Sequence, residues 1–225
     1  MLKTKINLII IIFFIVFTAI SCLPPGLLEH EDSSQLPREI PIEYAKVDPA
    51  FHSTHIEVIA LLPFSNARKY DDAYVIYDNL ISKFGGIHSQ YKIISPNEVM
   101  NKISSLGISD AFNVFLGDYM NTGVANKDFI IRVKNMLDVD AILFGEILSL
   151  GSYTYKVRKK NYLTRKYYID TEKRNRVGLR LGCWRGKDGR KIWEGRHTTK
   201  GNSSLNKLAS VLSTIFAKHF GKRTY

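Results

Sequence analysis

Apolar residues recur along the chain from residue 56 to residue 220 with two periods, and the change of period separates the predicted elements. The run IEVIALLPF at 56–64 is nearly continuous and rich in β-branched residues, which is typical of a central strand covered on both faces. Segment 71–84 repeats its apolar residues at helical spacing, and Gly85-Gly86 is predicted to end this helix. A short strand is predicted over 91–95.

The tetrapeptide SPNE at 95–98 has the pattern of a capping box with proline at the first helical position, which predicts a helix toward Ser105. Two further helices are predicted over 110–119 and 126–137. Segment 139–150 is again an apolar strand, and 176–185 alternates apolar and polar residues, which indicates one buried face. A strand over 191–199 and a helix over 203–220 complete an α/β fold, in which helices flank a mixed β-sheet within a single domain.

The turn between the last two predicted strands determines their register. A two-residue Asp-Gly loop would leave Glu194 on the apolar face, where an unpaired carboxylate is costly. A three-residue loop with Gly189 in the left-handed conformation places Trp193 beside Cys183 and turns Glu194 to the opposite face. We therefore expect Trp193 to contact the C-terminal helix.

The amino terminus follows a different pattern. Lys3 and Lys5 precede a mainly apolar run over 6–20, which Ser21 and Cys22 follow, and this pattern predicts a signal peptide at 1–21. The junction resembles a bacterial lipobox, which implies a diacylglycerol and an N-acyl chain such as palmitate on Cys22. A membrane-spanning helix needs about twenty apolar residues and is not expected here. Leu23 is not the aspartate of an inner-membrane retention signal, which favours the outer membrane.

Segment 22–55 is predicted to be a flexible tether that carries the acylated cysteine. It is locally acidic and shows no sustained apolar period, and its prolines are Pro24, Pro25, Pro37, Pro41 and Pro49. The globular domain is accordingly expected over 56–221.

Charge and cysteine content restrict the chemistry of the partners. The formal net charge of +11 falls to +9 when the two lysines of the signal are removed, which favours anionic partners. Once Cys22 is acylated, Cys183 is the remaining cysteine, so no intrachain disulfide is expected. Its place on the apolar side of a strand predicts a buried, inert thiol rather than a nucleophile.

Segment 152–176 is predicted to be a basic hairpin extension in which cations alternate with tyrosines, among them Tyr162. The candidate residues for binding an anionic partner are Lys156, Arg158, Lys159, Lys160, Arg165, Lys166, Lys173 and Arg174. An anionic lipid headgroup or an acidic protein face fits this composition, nucleic acid is not expected because the chain is exported, and a merely solvated hairpin is the alternative. The same cations make a membrane pore unexpected, since pore strands need an apolar lipid-facing set.

Other residues with chemical potential form no recognisable catalytic or metal site. His52 and His55 have the spacing of metal ligands and Glu57 is near, but a third ligand is not evident. Asp138 and Asp140 flank a strand entrance and are interpreted as a helix stop and a turn. The chain has no GxSxG, HExxH or phosphate-loop pattern. We expect a protein that is not an enzyme and holds no cofactor or metal apart from the acyl chains on Cys22.

Three phrases of the sequence carry a family resemblance: VIALLPFSN, LDVDAILFGEI and DGRKIWEG. Together they resemble the domain shared by CsgG-type curli-secretion lipoproteins, Lpo-type activators of penicillin-binding proteins and the amino-terminal domain of TolB. The usual aspartate and threonine of the hairpin turn appear here as Arg185 and Asp188.

The resemblance implies a non-catalytic protein-interaction or regulatory module, lipid-anchored in the bacterial cell envelope, whose partner is another envelope protein. The alternative is a structural subunit of an oligomeric outer-membrane secretion or surface assembly, which would make the chain a homo-oligomer. Whether the domain faces the periplasm or the cell surface stays open.

Overall fold

Six strands form one mixed sheet in the computed structural model, which describes residues 41–161 and 163–221. The strands lie side by side in the order β1-β6-β5-β4-β2-β3. Their bounds are β1 Tyr44–Val47, β2 Val58–Leu61, β3 Lys92–Ile94, β4 Ala141–Lys160, β5 Tyr167–Arg185 and β6 Lys191–Gly201. β2 is parallel to β3 and β4, whereas β4, β5, β6 and β1 pair antiparallel. The α/β fold with a mixed sheet is confirmed.

Helices cover both faces of this sheet. Those in the described part of the chain are α1 Ala50–Ser53, α2 Ala73–Ile87, α3 Pro96–Ser105, α4 Ser109–Thr122, α5 Lys127–Leu137 and α6 Leu205–Gly221, with a 3₁₀ helix at Ala67–Lys69. Phe84 of α2 and Phe216 of α6 belong to one hydrophobic core, and Phe115 of α4 and Ile130 of α5 belong to the other. Within the described ranges, no helix has the length and apolar character needed to cross a bilayer.

The position of β2 between two helical layers accounts for the nearly continuous apolar run at the start of the fold. Ile59 and Leu61 lie in the core under α2 and α6, whereas Ala60 and Leu62 lie in the core under α3, α4 and α5. Successive side chains of a strand point to opposite faces, so a strand between two helical layers requires apolar residues at every position.

The predicted register of the last two long strands is confirmed. Gly189 has a φ of 64°, and Cys183 lies opposite Trp193. The Trp193 ring is buried, with its centroid 5.4 Å from that of Phe220 and 6.0 Å from that of Phe216 in α6. Glu194 is turned to the other face, where its carboxylate lies 3.3 Å from Nε of Arg180 and 3.0 Å from Nζ of Lys191.

Two predicted helix boundaries, the start of α3 and the end of α2, can be compared with the structure. The Ser95 hydroxyl accepts a hydrogen bond from the Glu98 N–H at 3.3 Å, so the predicted N-cap is confirmed. The prediction that Gly85-Gly86 ends α2 is wrong, because the helix continues to Ile87. Its last turn is held by the His88 N–H bonded to the Phe84 carbonyl, and the His88 ring bonds to the Ala217 carbonyl of α6 at 2.7 Å.

The sheet begins earlier than the expected tether boundary at residue 55. β1 pairs antiparallel with β6, and just after β1 the Asp48 carboxylate forms an ion pair of 2.6 Å with the Arg190 guanidinium. Two histidines hold the chain just before this strand: the Glu43 N–H donates to Nδ1 of His197 at 3.2 Å and the Ile42 N–H to Nε2 of His219 at 3.4 Å. All four residues of β1 are exposed, so the strand carries no apolar alternation that a sequence pattern could reveal. The signal peptide and the tether up to residue 40 lie outside the described residues.

Candidate binding surface on a two-stranded ribbon

The long strands β4 and β5 extend beyond the rest of the sheet as a ribbon, which we define as residues 152–175. β6 ends at Gly201, opposite Asn175, and beyond this point β4 and β5 pair only with each other within the described ranges. At about 3.4 Å per residue, each strand of the ribbon reaches about 30 Å. The hairpin predicted over 152–176 is therefore present as a continuation of two core strands.

A β-bulge at the base decides which side chains share a face of the ribbon. The register shifts between Ile147 and Ser149, and Leu148 is left half in solvent. Leu150 then packs against the core under α6 and lies opposite Val177. Because side chains alternate along a strand, every second residue after Leu150 continues the α6 side.

The face that continues the α6 side is called here the open face. It carries Ser152, Thr154, Lys156, Arg158 and Lys160 from β4, and Tyr167, Ile169, Thr171, Lys173 and Asn175 from β5. Four of these residues are cationic and none is acidic. The Arg158 guanidinium lies 4.2 Å from the centre of the Tyr167 ring, and Ile169 is 70% exposed. Among the residues that the structure describes, the open face is thus a basic surface with apolar and aromatic side chains and no carboxylate of its own.

The opposite face, called here the paired face, is electrostatically different. It carries Tyr153, Tyr155, Val157 and Lys159 from β4, and Tyr168, Asp170, Glu172 and Arg174 from β5. Lys159 Nζ lies 2.7 Å from the Asp170 carboxylate and 3.1 Å from that of Glu172, and Arg174 lies 3.4 Å from Glu172. Each cation of this face within the ribbon therefore has a carboxylate beside it.

The titration of the paired face follows from these contacts. The hydrogen bond from the Tyr155 phenol to the Glu172 carboxylate raises the pKa of Tyr155 and lowers that of Glu172. The hydrogen bond from Lys159 lowers the pKa of Asp170, and the two carboxylates raise the pKa of Lys159. Both carboxylates consequently stay ionised well into the acid range, so the paired face remains neutralised.

The loop at the tip is an Asx turn that exposes an apolar residue. The Asn161 side-chain oxygen accepts hydrogen bonds from the N–H groups of Leu163 and Thr164 at 3.0 and 3.1 Å. Leu163 is 96% exposed, and Arg165 adopts a φ of 55°. Tyr162 lies outside the described residues.

The structure divides the eight cationic residues singled out in the sequence into three groups. Lys159 and Arg174 lie on the paired face, and Arg165 and Lys166 lie in the tip loop. The open face holds the other four: Lys156, Arg158, Lys160 and Lys173. Alternation along the strands was visible in the sequence, but the pairing of Lys159 with the acidic residues needed the register across the hairpin.

The remaining candidates have structural surroundings. Cys183 is completely buried, which raises the pKa of its thiol above the ordinary range and confirms the predicted core thiol. Asp138 ends α5 with a φ of 51°, and Asp140 accepts hydrogen bonds from the N–H groups of Glu57 and Val58 at 2.9 and 3.0 Å. The His55 ring lies 2.8 Å from the Glu57 carboxylate in solvent.

Within residues 41–161 and 163–221, no group of three or more histidines, cysteines, aspartates and glutamates is placed to hold a metal ion. Cys22, the predicted lipidation site, lies outside these residues.

Comparison with known proteins finds similarity at the level of three-dimensional structure. No family model and no curated protein matches the sequence. Among solved structures, the chain is similar to a PelC dodecamer from Paraburkholderia phytofirmans, with a TM-score of 0.47 and 11% identity over 80% of this chain and 97% of that chain. It is also similar to lipoprotein GNA1162 from Neisseria meningitidis, with a TM-score of 0.37 and 12% identity over 73% of this chain and 99% of that one.

A third similar structure is the LpoB C-terminal domain from Salmonella enterica, with a TM-score of 0.31 and 10% identity over 65% of this chain and 84% of that one. These similarities concern the arrangement of strands and helices, and no activity or partner is carried over from them.

Proposed function

We propose that this chain is a lipid-anchored, non-catalytic binding protein of the bacterial cell envelope, whose ribbon binds an acidic surface of a partner protein through its open face. Cys22 would provide the anchor, because several acyl chains at about 0.8 kcal/mol per buried methylene hold a protein stably on a bilayer. The domain would provide recognition.

The observation that carries this proposal is the difference in charge between the two faces of one ribbon. On the paired face, Asp170 and Glu172 lie within ion-pair distance of the cations. On the open face, Lys156, Arg158, Lys160 and Lys173 stand on a surface without acidic residues. Uncompensated charges of one sign attract a partner of the opposite sign and increase the rate of encounter.

The uncharged residues of the open face favour a protein as the partner. Tyrosine and arginine are enriched among the residues that dominate binding energy in protein interfaces, and here Arg158 stacks on Tyr167 beside the exposed Ile169. At the base of this face, Asn175 Nδ2 donates to the Ser203 carbonyl at 2.8 Å, just before α6 begins. The helix α6 therefore begins at the base of this face and leads back over the sheet, where Phe216 packs against Trp193.

A non-catalytic role is part of the proposal. The buried Cys183 has a thiol pKa raised by desolvation, so the reactive thiolate is disfavoured. A hydrolase screen of the wild-type chain tests this part, and turnover that disappears in the Cys183→Ser or His55→Ala variant would contradict it.

Capture of the partner from envelope membranes by the acylated full chain tests the recognition role. Replacing Lys156, Arg158 and Lys160 by serine is expected to abolish capture, and raising the ionic strength is expected to weaken capture by the wild type. The matched control replaces the exposed Lys92, Lys102 and Lys207 by serine, which removes the same charge elsewhere.

Two results, one from the capture experiment and one from vesicle flotation, would contradict the proposal. Equal loss of capture in the control variant would indicate an effect of net charge rather than of the open face. Flotation of the Cys22→Ser chain with protein-free anionic vesicles, lost in the open-face variant, would assign the face to a membrane instead.

The lipid anchor has a separate test. Labelled palmitate is expected in the wild-type chain and not in the Cys22→Ser variant. Label that persists in this variant, or that is missing from the wild type, would contradict the anchor and leave the binding role of the ribbon to be judged on capture alone.

A second candidate function, a subunit of an oligomeric assembly, is favoured by the backbone of the ribbon. Both outer edges of the ribbon lack a neighbouring strand in the part of the chain that the structure describes, and such edges can pair with another copy. Light scattering on the purified full chain distinguishes the two functions, because the assembly requires a defined oligomer and the recognition role does not.

A further inference from the structure

A groove lies outside the carboxyl end of β2, at the point where the order of connections in the sheet reverses. From β2 the chain passes through α2 to β3 on one side and then through α3, α4 and α5 to β4 on the other side. Crevices at such switch points are where open α/β sheets bind ligands. The groove has a volume of about 460 Å³ and lies between the loop 63–69 and the helices α3 and α4.

The walls of the groove are fixed by hydrogen bonds. Asn66 bonds twice to the backbone of Ile147, donating from Nδ2 at 2.7 Å and accepting at 2.8 Å. The Phe64 N–H donates to the Tyr77 hydroxyl at 2.8 Å, and the two rings stack with centroids 4.7 Å apart. The loop after β2 is thereby tied to β4 and to α2, so the groove is formed before any ligand arrives.

The lining of the groove combines an apolar floor with a cationic end. The accessible apolar side chains include the partly buried Met100 and Leu116 and the 51% exposed Met120, whereas the Phe64 and Phe112 rings are buried in the cores. Arg68 and Lys69 are exposed at the rim, and within the described ranges no acidic residue lines the groove. Arg68 also reaches the Asn113 side-chain oxygen at 3.5 Å, which brings the guanidinium over the α4 wall.

We propose that this groove binds a single-chain fatty acid, with the alkyl chain on the apolar floor and the carboxylate at Arg68 and Lys69. A guanidinium presents paired donors that match a carboxylate, and flexible methionines adapt to an alkyl chain. At about 30 Å³ per water-sized group, the volume holds roughly 15 heavy atoms, which corresponds to a chain of about twelve carbons with its carboxylate. This site is independent of the ribbon.

The size of the groove favours a small ligand over a protein partner. Stable protein interfaces bury about 800 Å² on each side, whereas small-molecule sites have volumes of about 300–1,000 Å³. The groove falls within the second range, and its two cationic residues, Arg68 and Lys69, are neighbours in the chain, which suits a ligand with a single charged group.

Photo-crosslinking with a diazirine-bearing dodecanoic acid tests the proposal on the full Cys22→Ser chain, kept free of detergent. We expect labelling within 63–69 and 112–120. Unlabelled dodecanoate is expected to compete, whereas acetate, which lacks the chain, and dodecyltrimethylammonium, which reverses the head charge, are not.

Variants then locate the contact within the groove. Met120→Glu and Arg68→Glu are expected to reduce labelling about fivefold or more. The first substitution puts a charged group against the alkyl chain, and the second replaces the guanidinium that meets the carboxylate by a group of like charge. Val114→Glu is the matched control, because Val114 is 63% exposed on the same helix and does not line the groove. Unfolding curves followed by tryptophan fluorescence should superimpose for the three variants.

Three outcomes would overturn the proposal: no labelling in these segments, equal competition by the ammonium amphiphile, or an equal loss in Val114→Glu. Chain-to-chain crosslinks through the same residues in the absence of fatty acid would also overturn it, because they would place a second copy in the groove.

Discussion

The two faces of the ribbon are built by the same two strands and both carry cations, four on the open face and two on the paired face, yet they differ in what those cations contact. On the paired face, Lys159 bridges Asp170 and Glu172, and Arg174 lies 4.4 Å from the Tyr155 ring. On the open face, Lys156 and Lys160 have no carboxylate neighbour across the strand, where Thr171 and Tyr167 stand instead. Internal compensation stabilises one face, and its absence leaves the other available for a partner.

This difference shows that composition alone does not define a binding surface. A patch of cations becomes available for binding only where the neighbouring strand supplies no acidic residue, because exposed ion pairs within the protein compete with those to a partner.

Charge reversal on the open face should have the largest effect. Replacing Lys156, Arg158 and Lys160 by glutamate is expected to lower the affinity for a polyglutamate probe about 100-fold, since each exposed pair is worth up to about 1 kcal/mol. Isothermal titration at low ionic strength measures this loss. The same substitution at Lys92, Lys102 and Lys207 is the control, and a loss of equal size there would remove the distinction between the faces.

Removal of the ring under Arg158 should have a smaller effect on the same binding. Tyr167→Ala deletes a cation–π contact worth about 0.5–1 kcal/mol at an exposed site, so the affinity for polyglutamate should fall about two- to fivefold. Tyr168→Ala, on the paired face, provides the control. If the two variants weaken binding equally, the stacked arginine has no special role.

Mild acid should destabilise the domain through His197 while leaving the charges on the paired face of the ribbon unchanged. Burial is the main cause that lowers the pKa of His197; the nearby Glu43 carboxylate raises this pKa and the nearby His219 lowers it further. A histidine in the unfolded chain titrates near 6.5. The unfolded state then binds more protons just below pH 6.5, so the free energy of unfolding should fall as the pH is lowered through this window. Over the same window Asp170 and Glu172 remain ionised, because their pKa values are lowered.

Denaturant unfolding at pH 7 and pH 5 measures the first part, and lysine side-chain NMR signals of Lys159 report the second. The His197→Gln variant should flatten the pH dependence of unfolding, since glutamine does not titrate. Constant stability of the wild type between these pH values would contradict the assignment to His197.

Loss of one carboxylate on the paired face should have the smallest effect. Glu172→Gln is expected to return the Tyr155 pKa toward its ordinary value, because the hydrogen bond to Glu172 is the main cause of its increase. An NMR titration of the Tyr155 ring carbons measures the change, with Glu98→Gln in α3 as the control. Affinity for polyglutamate should not fall; a marked fall would show that the paired face takes part in binding.

Much of the fold was predictable because its core elements carry strong patterns. The apolar run of β2, the cap at Ser95 and the turn at Gly189 each follow from local physical chemistry, and the structure contains all three. β1 could not be predicted, since its four residues are exposed and its pairing depends on β6 and on His197. The end of α2 was missed because packing of its last turn against α6 outweighs the low helix propensity of Gly85 and Gly86.

For the candidate site, the sequence identified the hairpin and its cations but not their division. The division depends on the bulge at Leu148, which changes the side to which each later residue points, and on the register that brings Lys159 near Asp170. The register has no local signal, and the glycines at the bulge, Gly178 opposite Ser149 and Gly151 with a φ of 139°, do not by themselves reveal which strand carries the extra residue. The groove beside α4 was also not predicted, since its residues come from three separate segments.

Lysine side-chain NMR can show whether the open face, and not the paired face, binds acidic surfaces. On addition of polyglutamate to the full chain, the signals of Lys156, Lys160 and Lys173 are predicted to shift, whereas that of Lys159 is predicted to stay in place. Equal shifts of Lys159 and its neighbours, or no shift of any of the four, would contradict the account.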